Sequence, residues 1–170
     1  MNAVSGIVLS DCGQYRYRLS RPPLDDPSDT LTPMRAPALF IMLNPSTADA
    51  ITDDPTIRRC RAFARDWRCG GVIVANLYAL RSTHPAGLWL HDDPVGPEND
   101  EHLYALARSC GEVICAWGDH ARAARVAAVL RLLRNASATL VCLGTTQSGA
   151  PRHPLYVRRG ARLVEWIAEA

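Results

Sequence analysis

Two asparagines stand directly after apolar runs of strand length, at the points where strands would end. Asn44 follows the run at 38–43, and Asn76 follows the run at 72–75. A primary amide carries both N–H donors and a carbonyl acceptor, so each asparagine can pair with the edge of a planar ligand. The alternative is that each asparagine only caps or turns the chain.

A histidine lies in the proline-rich segment Pro151-Arg152-His153-Pro154. Proline restricts its own backbone and that of the residue before it, which favours a fixed direction for the imidazole of His153. A fixed imidazole suits a group that must be aimed at a ligand. The alternative is a solvent-facing loop histidine without a functional role.

Arginines recur at helical spacing in the segment that follows Asn44. At about 100° per residue, Arg58, Arg61, Arg65 and Arg68 share one face of the predicted helix. Such a row suits the phosphate backbone of a nucleic acid, with Arg152 as a further contact. The alternative is a solvated helix face, and the net charge of +2 predicts weak, salt-sensitive binding.

Strand and helix patterns alternate along most of the chain. Apolar runs predict strands at 38–43, 72–75, 113–116 and 139–143, and helices are predicted at 55–67, 97–109 and 121–133. This alternation predicts a three-layer α/β/α sandwich with a short, mostly parallel four-stranded sheet. We expect one domain over residues 1–170, with an N-terminal β-hairpin and a proline-rich connection at 1–37 packed on it. In such a sheet, ligands bind at the carboxyl ends of the strands.

The composition of the 170 residues narrows the chemistry. All 19 basic residues are arginine, so the chain has no lysine for a Schiff base or for the phosphate contact of a P-loop. The six cysteines form no C-x-x-C pair, which favours structural thiols over a metal site. Neither a signal peptide nor a membrane span is apparent, and we expect a soluble cytoplasmic protein without a cofactor.

Several segments, taken in order, resemble the motifs of the uracil-DNA glycosylase superfamily. Leu43-Asn44-Pro45-Ser46 is similar to its first strand-end motif, and the strand that ends at Asn76 is similar to the one whose asparagine reads the base. His153-Pro154-Leu155 resembles its final motif. Roughly residues 15–168 also resemble domain of unknown function 1643, through L-N-P-S-T-A-D, D-D-P-T-I-R-R-C, D-P-V-G-P-E-N-D and P-R-H-P-L-Y.

The glycosylase resemblance implies a role for each matching residue. Asn44 would orient the attacking water, Asn76 would bind the base edge with Ser46 nearby, and His153 would stabilise charge on the departing base. Tyr78 and Phe63 are the candidates for the aromatic side chain that stacks on the base. The sequence departs from the superfamily pattern at position 44, where asparagine cannot abstract a proton as an aspartate would.

Three aspartates downstream of Asn44 are candidates for the missing general base. Asp54 precedes Pro55 in the N-cap position of the predicted helix, and Asp53 lies where it favours the helix dipole. Asp49 is therefore the first choice for a catalytic carboxylate. Together these residues predict a monofunctional N-glycosidase that releases a modified or deaminated base from DNA. The alternatives are a non-catalytic reader of modified nucleic acid and a hydrolase of free nucleosides or nucleotides.

Overall fold

The structure is a computed structural model that describes residues 5–24, 35–46 and 52–167. Its strands form one seven-stranded sheet with the order β1-β2-β4-β3-β5-β6-β7. In chain order the strands are β1 (Gly6–Leu9), β2 (Arg16–Arg21), β3 (Ala38–Met42), β4 (Val72–Asn76), β5 (Glu112–Cys115), β6 (Thr139–Cys142) and β7 (Val164–Glu165).

The sheet is mixed, so the predicted short, mostly parallel four-stranded sheet is wrong. The inner strands β4, β3, β5 and β6 pair in parallel, but β2 joins β4 in antiparallel pairing through Leu19 and Val74. At the other edge β7 pairs antiparallel with β6. The exposed edges of a parallel sheet present unpaired N–H and C=O groups. The N-terminal hairpin and the C-terminal tail satisfy these groups by extending the sheet, rather than by packing on it.

Helices cover both faces of the sheet. They are α1 (Pro55–Asp66), α2 (Pro85–Leu88), α3 (Asn99–Cys110) and α4 (Ala123–Asn135). Successive side chains of a strand point to opposite faces of the sheet. Phe40 of β3 therefore packs with Phe63 of α1 on one face. On the other face, Ile41 belongs to the cluster that contains Leu103 of α3 and Leu133 of α4. In the described ranges, no helix combines the length and the apolarity needed to cross a membrane.

The loop after β4 is tied to the end of β3 and to the start of α3. The N–H groups of Leu77 and Tyr78 donate to the carbonyls of Met42 and Leu43 at 2.8 and 3.0 Å. The buried Asn99 donates through Nδ2 to the carbonyls of Asn76 and Leu77, both at 3.1 Å. These bonds hold the start of the loop beside the segment that follows β3.

Candidate functional site

A cavity of about 730 Å³ opens at the carboxyl ends of β3, β5 and β6. Its walls come from the start of β2, the turn after β3, the first turn of α1, the loops after β4, β5 and β6, and the segment around His153. The lining residues are Arg16, Met42, Leu43, Asn44, Ser46, Asp54, Thr56, Ile57, Ser82, Thr83, Trp117, Gly118, Asp119, His120, Thr146, Gln147, Arg152, His153 and Tyr156. The cavity therefore lies at the edge where a parallel sheet gathers loops and helix N-termini.

Asn44 is fixed in one orientation at the end of β3. Its Nδ2 donates to the carbonyl of Ser82 at 2.7 Å and to the carbonyl of Pro45 at 3.0 Å. Because a carbonyl can only accept, both bonds require the NH₂ group at this position. The amide oxygen of Asn44 is consequently the atom that can accept a hydrogen bond from a ligand or a water.

Asp54 brings a carboxylate into the cavity wall. It is the N-cap of α1, as predicted, and its Oδ1 accepts the N–H of Ile57 at 2.8 Å. The hydroxyl of Ser46 donates to the other oxygen, Oδ2. The structure thus places an acidic group beside Asn44, although residue 44 itself is an amide.

The neighbouring Asp53 joins α1 to β2. Arg21 Nε and Arg61 Nη1 donate to its two oxygens at 2.7 and 2.8 Å. Burial alone would raise the pKa of Asp53, but the hydrogen bonds from Arg61 and Arg21 outweigh that effect and lower it. This bridge holds the first turn of α1, and with it Asp54, against the sheet.

Arg16 contributes a buried cation to the cavity. It is the first residue of β2, and its side chain is 2% exposed. Burial lowers the pKa of Arg16 to about 10, and the charge of Asp54 opposes this shift, so the guanidinium stays protonated at neutral pH. The backbone N–H of Arg16 donates to the carbonyl of Ala79 at 2.8 Å, which positions the residue against the loop after β4.

His153 precedes a 3₁₀ turn at Pro154–Tyr156, and its ring lines the cavity. Its Nδ1 accepts the N–H of Leu155 at 3.4 Å. Burial lowers the pKa of His153 below 6.5, with an opposing effect from Asp54, so the ring is neutral at pH 7. Since Nδ1 is the acceptor, the proton of the neutral ring lies on Nε2. The ring can therefore donate one hydrogen bond from Nε2.

The ends of β5 and β6 supply an aromatic wall and a second carboxylate. Trp117 is 3% exposed and packs edge-on against Trp166, with 5.1 Å between ring centroids. Asp119 accepts hydrogen bonds from Ser148 and Thr146 at 2.5 and 2.7 Å, and these bonds lower its pKa. The cavity thus combines an indole wall with polar groups of both charges.

The structure brings several of the sequence-predicted site residues together. Asn44, Ser46, Arg152 and His153 all line the cavity, and Arg152 donates through Nε to the carbonyl of Thr145 at 2.7 Å. Asp49 lies outside the described residues. The cavity is therefore formed by segments that are distant in the chain, namely the turn after β3 and the proline-flanked histidine.

Other predicted site residues lie elsewhere. Asn76 is 1% exposed and does not line the cavity, and neither atom of its amide has a hydrogen-bond partner among the described residues. Tyr78 is buried with its ring 5.2 Å from that of Trp89, and Phe63 is buried in the core between α1 and the sheet. Neither aromatic residue faces the cavity.

The predicted arginine row lies on α1, outside the cavity lining. Arg61 is paired with Asp53, and Arg58 donates to the carbonyl of the same residue at 2.5 Å. Arg65 pairs with Asp66 at 3.0 Å. Intramolecular partners therefore occupy much of this row. Arg68 lies beyond the end of α1 with a φ of 59°.

Two cavity residues were not singled out in the sequence. Trp117 directly follows the predicted strand at 113–116 and lies two residues beyond β5, so the signal that drew attention to Asn44 was also present for Trp117. Arg16 lies in the alternating segment Tyr15-Arg16-Tyr17-Arg18, which has the pattern of an ordinary amphipathic strand. Its place in the cavity depends on the pairing of β2 with β4, for which the local sequence carries no signal.

Fold and site together define an α/β protein with a polar ligand cavity at the carboxyl edge of its parallel strands. The chain belongs to the family described as "Protein of unknown function (DUF1643)", whose model matches residues 16–155. No significant match was found among curated proteins or among solved structures. Among the described residues, no group of three His, Cys, Asp or Glu side chains is arranged to hold a metal ion.

Proposed function

We propose that this protein is a monofunctional N-glycosidase that hydrolyses the bond between a modified or deaminated base and its deoxyribose in DNA. The observation that carries the proposal is that His153, whose Nδ1 accepts the N–H of Leu155, lines the same cavity as Asn44 and Asp54. The motif resemblance to the uracil-DNA glycosylase superfamily supports the same reaction. The volume of about 730 Å³ accommodates a nucleoside.

The residues of the cavity can divide the reaction between them. Cleavage of the C1′–N bond leaves positive charge on the sugar and negative charge on the departing base. The Nε2–H of His153 would donate to the base and stabilise its charge, and Trp117, which lines the cavity, would contact the base. The base then takes up a proton from the solvent.

Water must reach the opposite side of the sugar. The amide oxygen of Asn44 would accept one hydrogen bond from the water and so orient it. The carboxylate of Asp54 would accept the proton released when the water oxygen bonds to C1′. Asp54 takes this role in the proposal because it lines the same cavity as Asn44. With no lysine in the chain to form a Schiff base, the product is an abasic site without strand cleavage.

The direct test is base release from oligonucleotides that carry uracil, hypoxanthine or 5-substituted pyrimidines. We expect abasic sites with at least one substrate, and a fall in single-turnover rate of about 10²–10³ in His153→Gln. Asn44→Ala should show a comparable loss. His84→Gln is the matched control, because His84 is exposed and does not line the cavity. Failure to release any base across the panel, beside an active control enzyme, would refute the reaction.

A second candidate is hydrolysis of free nucleosides or nucleotides. The observation that favours it is the buried cation of Arg16 in the cavity wall, which suits the phosphate of a small ligand. Equal rates on a mononucleotide and on an oligonucleotide with the same base would support this candidate. A reader of modified nucleic acid would instead bind the oligonucleotide, with a change in tryptophan fluorescence, and release no base.

A further inference from the structure

Three arginines line one depression beside α1, and two exposed arginines are close to one of them in the chain; we call these five residues the arginine surface. Arg59, Arg65 and Arg159 line a depression of about 150 Å³, together with Ala62, Phe63 and Asp66. Arg158 and Arg162 flank Arg159 in the segment that follows the 3₁₀ turn, and both are exposed. The helix and the C-terminal segment therefore contribute charge to the same region.

The residues of the arginine surface are held in place by packing against the core between α1 and the sheet. Arg59 lies over the ring of Phe63 with 5.0 Å between its guanidinium carbon and the ring centroid, and it also donates to the carbonyl of Val157. Val157, Ala161 and Leu163 pack against the core between α1 and the sheet. Since these apolar residues anchor the segment, the arginines between them are presented to solvent in a fixed region.

The charge of this surface is little compensated by its surroundings. In the parts of the chain that the structure describes, Arg65 is the one arginine of the set with a carboxylate partner, Asp66. Both members of that pair are more than a third exposed, at 47% and 39%, so their attraction is weak. Guanidinium groups in such a cluster match the geometry and the charge of phosphate oxygens.

The arginine surface also adjoins the mouth of the cavity. Tyr156, which lines the cavity and is 81% exposed, is followed directly by Val157 and the tail arginines. Along α1, Thr56 lines the cavity and Arg65 lines the depression. At 1.5 Å per residue, the helix covers about 13.5 Å between them. The same length of a duplex strand carries about four phosphates at 3.4 Å each.

We propose that the arginine surface binds the phosphate backbone of the nucleic-acid strand whose base enters the cavity. This inference deepens the proposed function and rests on it for the identity of the ligand. It assigns backbone contacts to Arg159 and Arg162, beyond the helix row that the sequence indicated. It also separates DNA from a free nucleotide, which would fill the cavity without reaching this surface.

The test is equilibrium binding of a fluorescent single-stranded oligonucleotide at several salt concentrations. Loss of two contacts in the double variant Arg159→Gln/Arg162→Gln should reduce the slope of log K against log salt by about 1.4, or about 0.7 per contact. At 0.1 M salt this corresponds to about 25-fold weaker binding. Arg134→Gln is the control, because Arg134 is an exposed arginine on α4 that lines neither the cavity nor the depression.

The possible outcomes separate this inference from the proposed reaction. If the double variant binds like Arg134→Gln, or if the wild type binds no oligonucleotide at low salt, the arginine surface is not a backbone site. If the double variant binds like Arg134→Gln and the protein still releases a base from DNA, the proposed reaction stands without this surface. If the double variant lowers the slope of log K against log salt as expected, but the wild type releases no base, the arginine surface is supported and the proposed reaction is refuted. Stronger binding to anionic phospholipid vesicles than to DNA would overturn the choice of partner.

Discussion

Replacing Asp53 by asparagine tests how the first turn of α1 is held at the cavity. The carboxylate accepts from Arg21 at 2.7 Å and from Arg61 at 2.8 Å. The side chains of Arg21, Asp53 and Arg61 are 4%, 12% and 22% exposed, so the Arg21 pair is the more buried of the two. Asparagine keeps the shape of the side chain and one acceptor oxygen but removes the charge.

The expected loss follows from this burial. Removing one partner of a buried ion pair costs about 3–5 kcal/mol, whereas an exposed pair contributes about 0–1 kcal/mol. Arg21 also donates to the carbonyl of Ser20 at 3.1 Å, and asparagine retains part of the hydrogen bonding, so the lower end applies. We expect Asp53→Asn to lower the free energy of unfolding by about 3 kcal/mol, which corresponds to about 6–12 °C in Tm.

The assay is urea unfolding followed by circular dichroism at pH 7 and at lower pH. Asp66→Asn, which alters the exposed pair with Arg65, is the control and should change stability by less than about 1 kcal/mol. Because the folded pKa of Asp53 is lowered, its contribution is present above the unfolded value of 3.8 and is lost as the pH falls through the folded pKa. A loss in Asp53→Asn no larger than in the control, or one independent of pH, would refute this reasoning.

Three further predictions concern stability. Because the pKa of His153 is lowered in the folded protein, the unfolded chain binds a proton more readily, and the fold is destabilised as the pH falls through 6.5. The pH dependence of unfolding between about 5 and 7 should therefore decrease in His153→Gln. Gly96→Ala should cost about 3 kcal/mol in urea unfolding, since φ is +87° and a Cβ would lie 2.7 Å from the ring of Tyr15. The control Gly111→Ala, with φ at +72° and open space, should cost about 1 kcal/mol. Asn99→Ala should cost about 2 kcal/mol by thermal unfolding, because the carbonyl of Asn76 loses the Asn99 donor, whereas the carbonyl of Leu77 keeps the hydrogen bond from Arg125 Nε at 2.8 Å.

The inner part of the sheet was predictable from the sequence. The four uninterrupted apolar runs became β3, β4, β5 and β6, because strands covered on both faces exclude polar residues. The start of α1 was also predictable, since Asp54 and Pro55 carry the local chemistry of a helix N-terminus. These signals depend on burial or on neighbours in the chain, and they are therefore visible in a linear sequence.

The edges of the sheet were not predictable in the same way. The hairpin strands β1 and β2 have short, ordinary alternating patterns, which give no information about the strand they will join. The pairing of Leu19 with Val74 joins residues that are far apart in the chain, and the two-residue strand β7 is too short to show any period. The position of Arg16 in the cavity follows from the pairing of β2 with β4, so it could not be predicted from the sequence either.

Asn44 and Asn76 show why strand-end residues alone do not define a site. Both follow apolar strands in sequence, and the pairing of Met42 with Asn76 places the two strand ends side by side. However, β3 is central and opens toward the cavity between α1 and the loop after β5, whereas β4 is flanked by β2. The loop that follows β4 folds back under Asn99 and leaves Asn76 buried. Position in the sheet order therefore decides which asparagine can meet a ligand, and the order is set by long-range pairing.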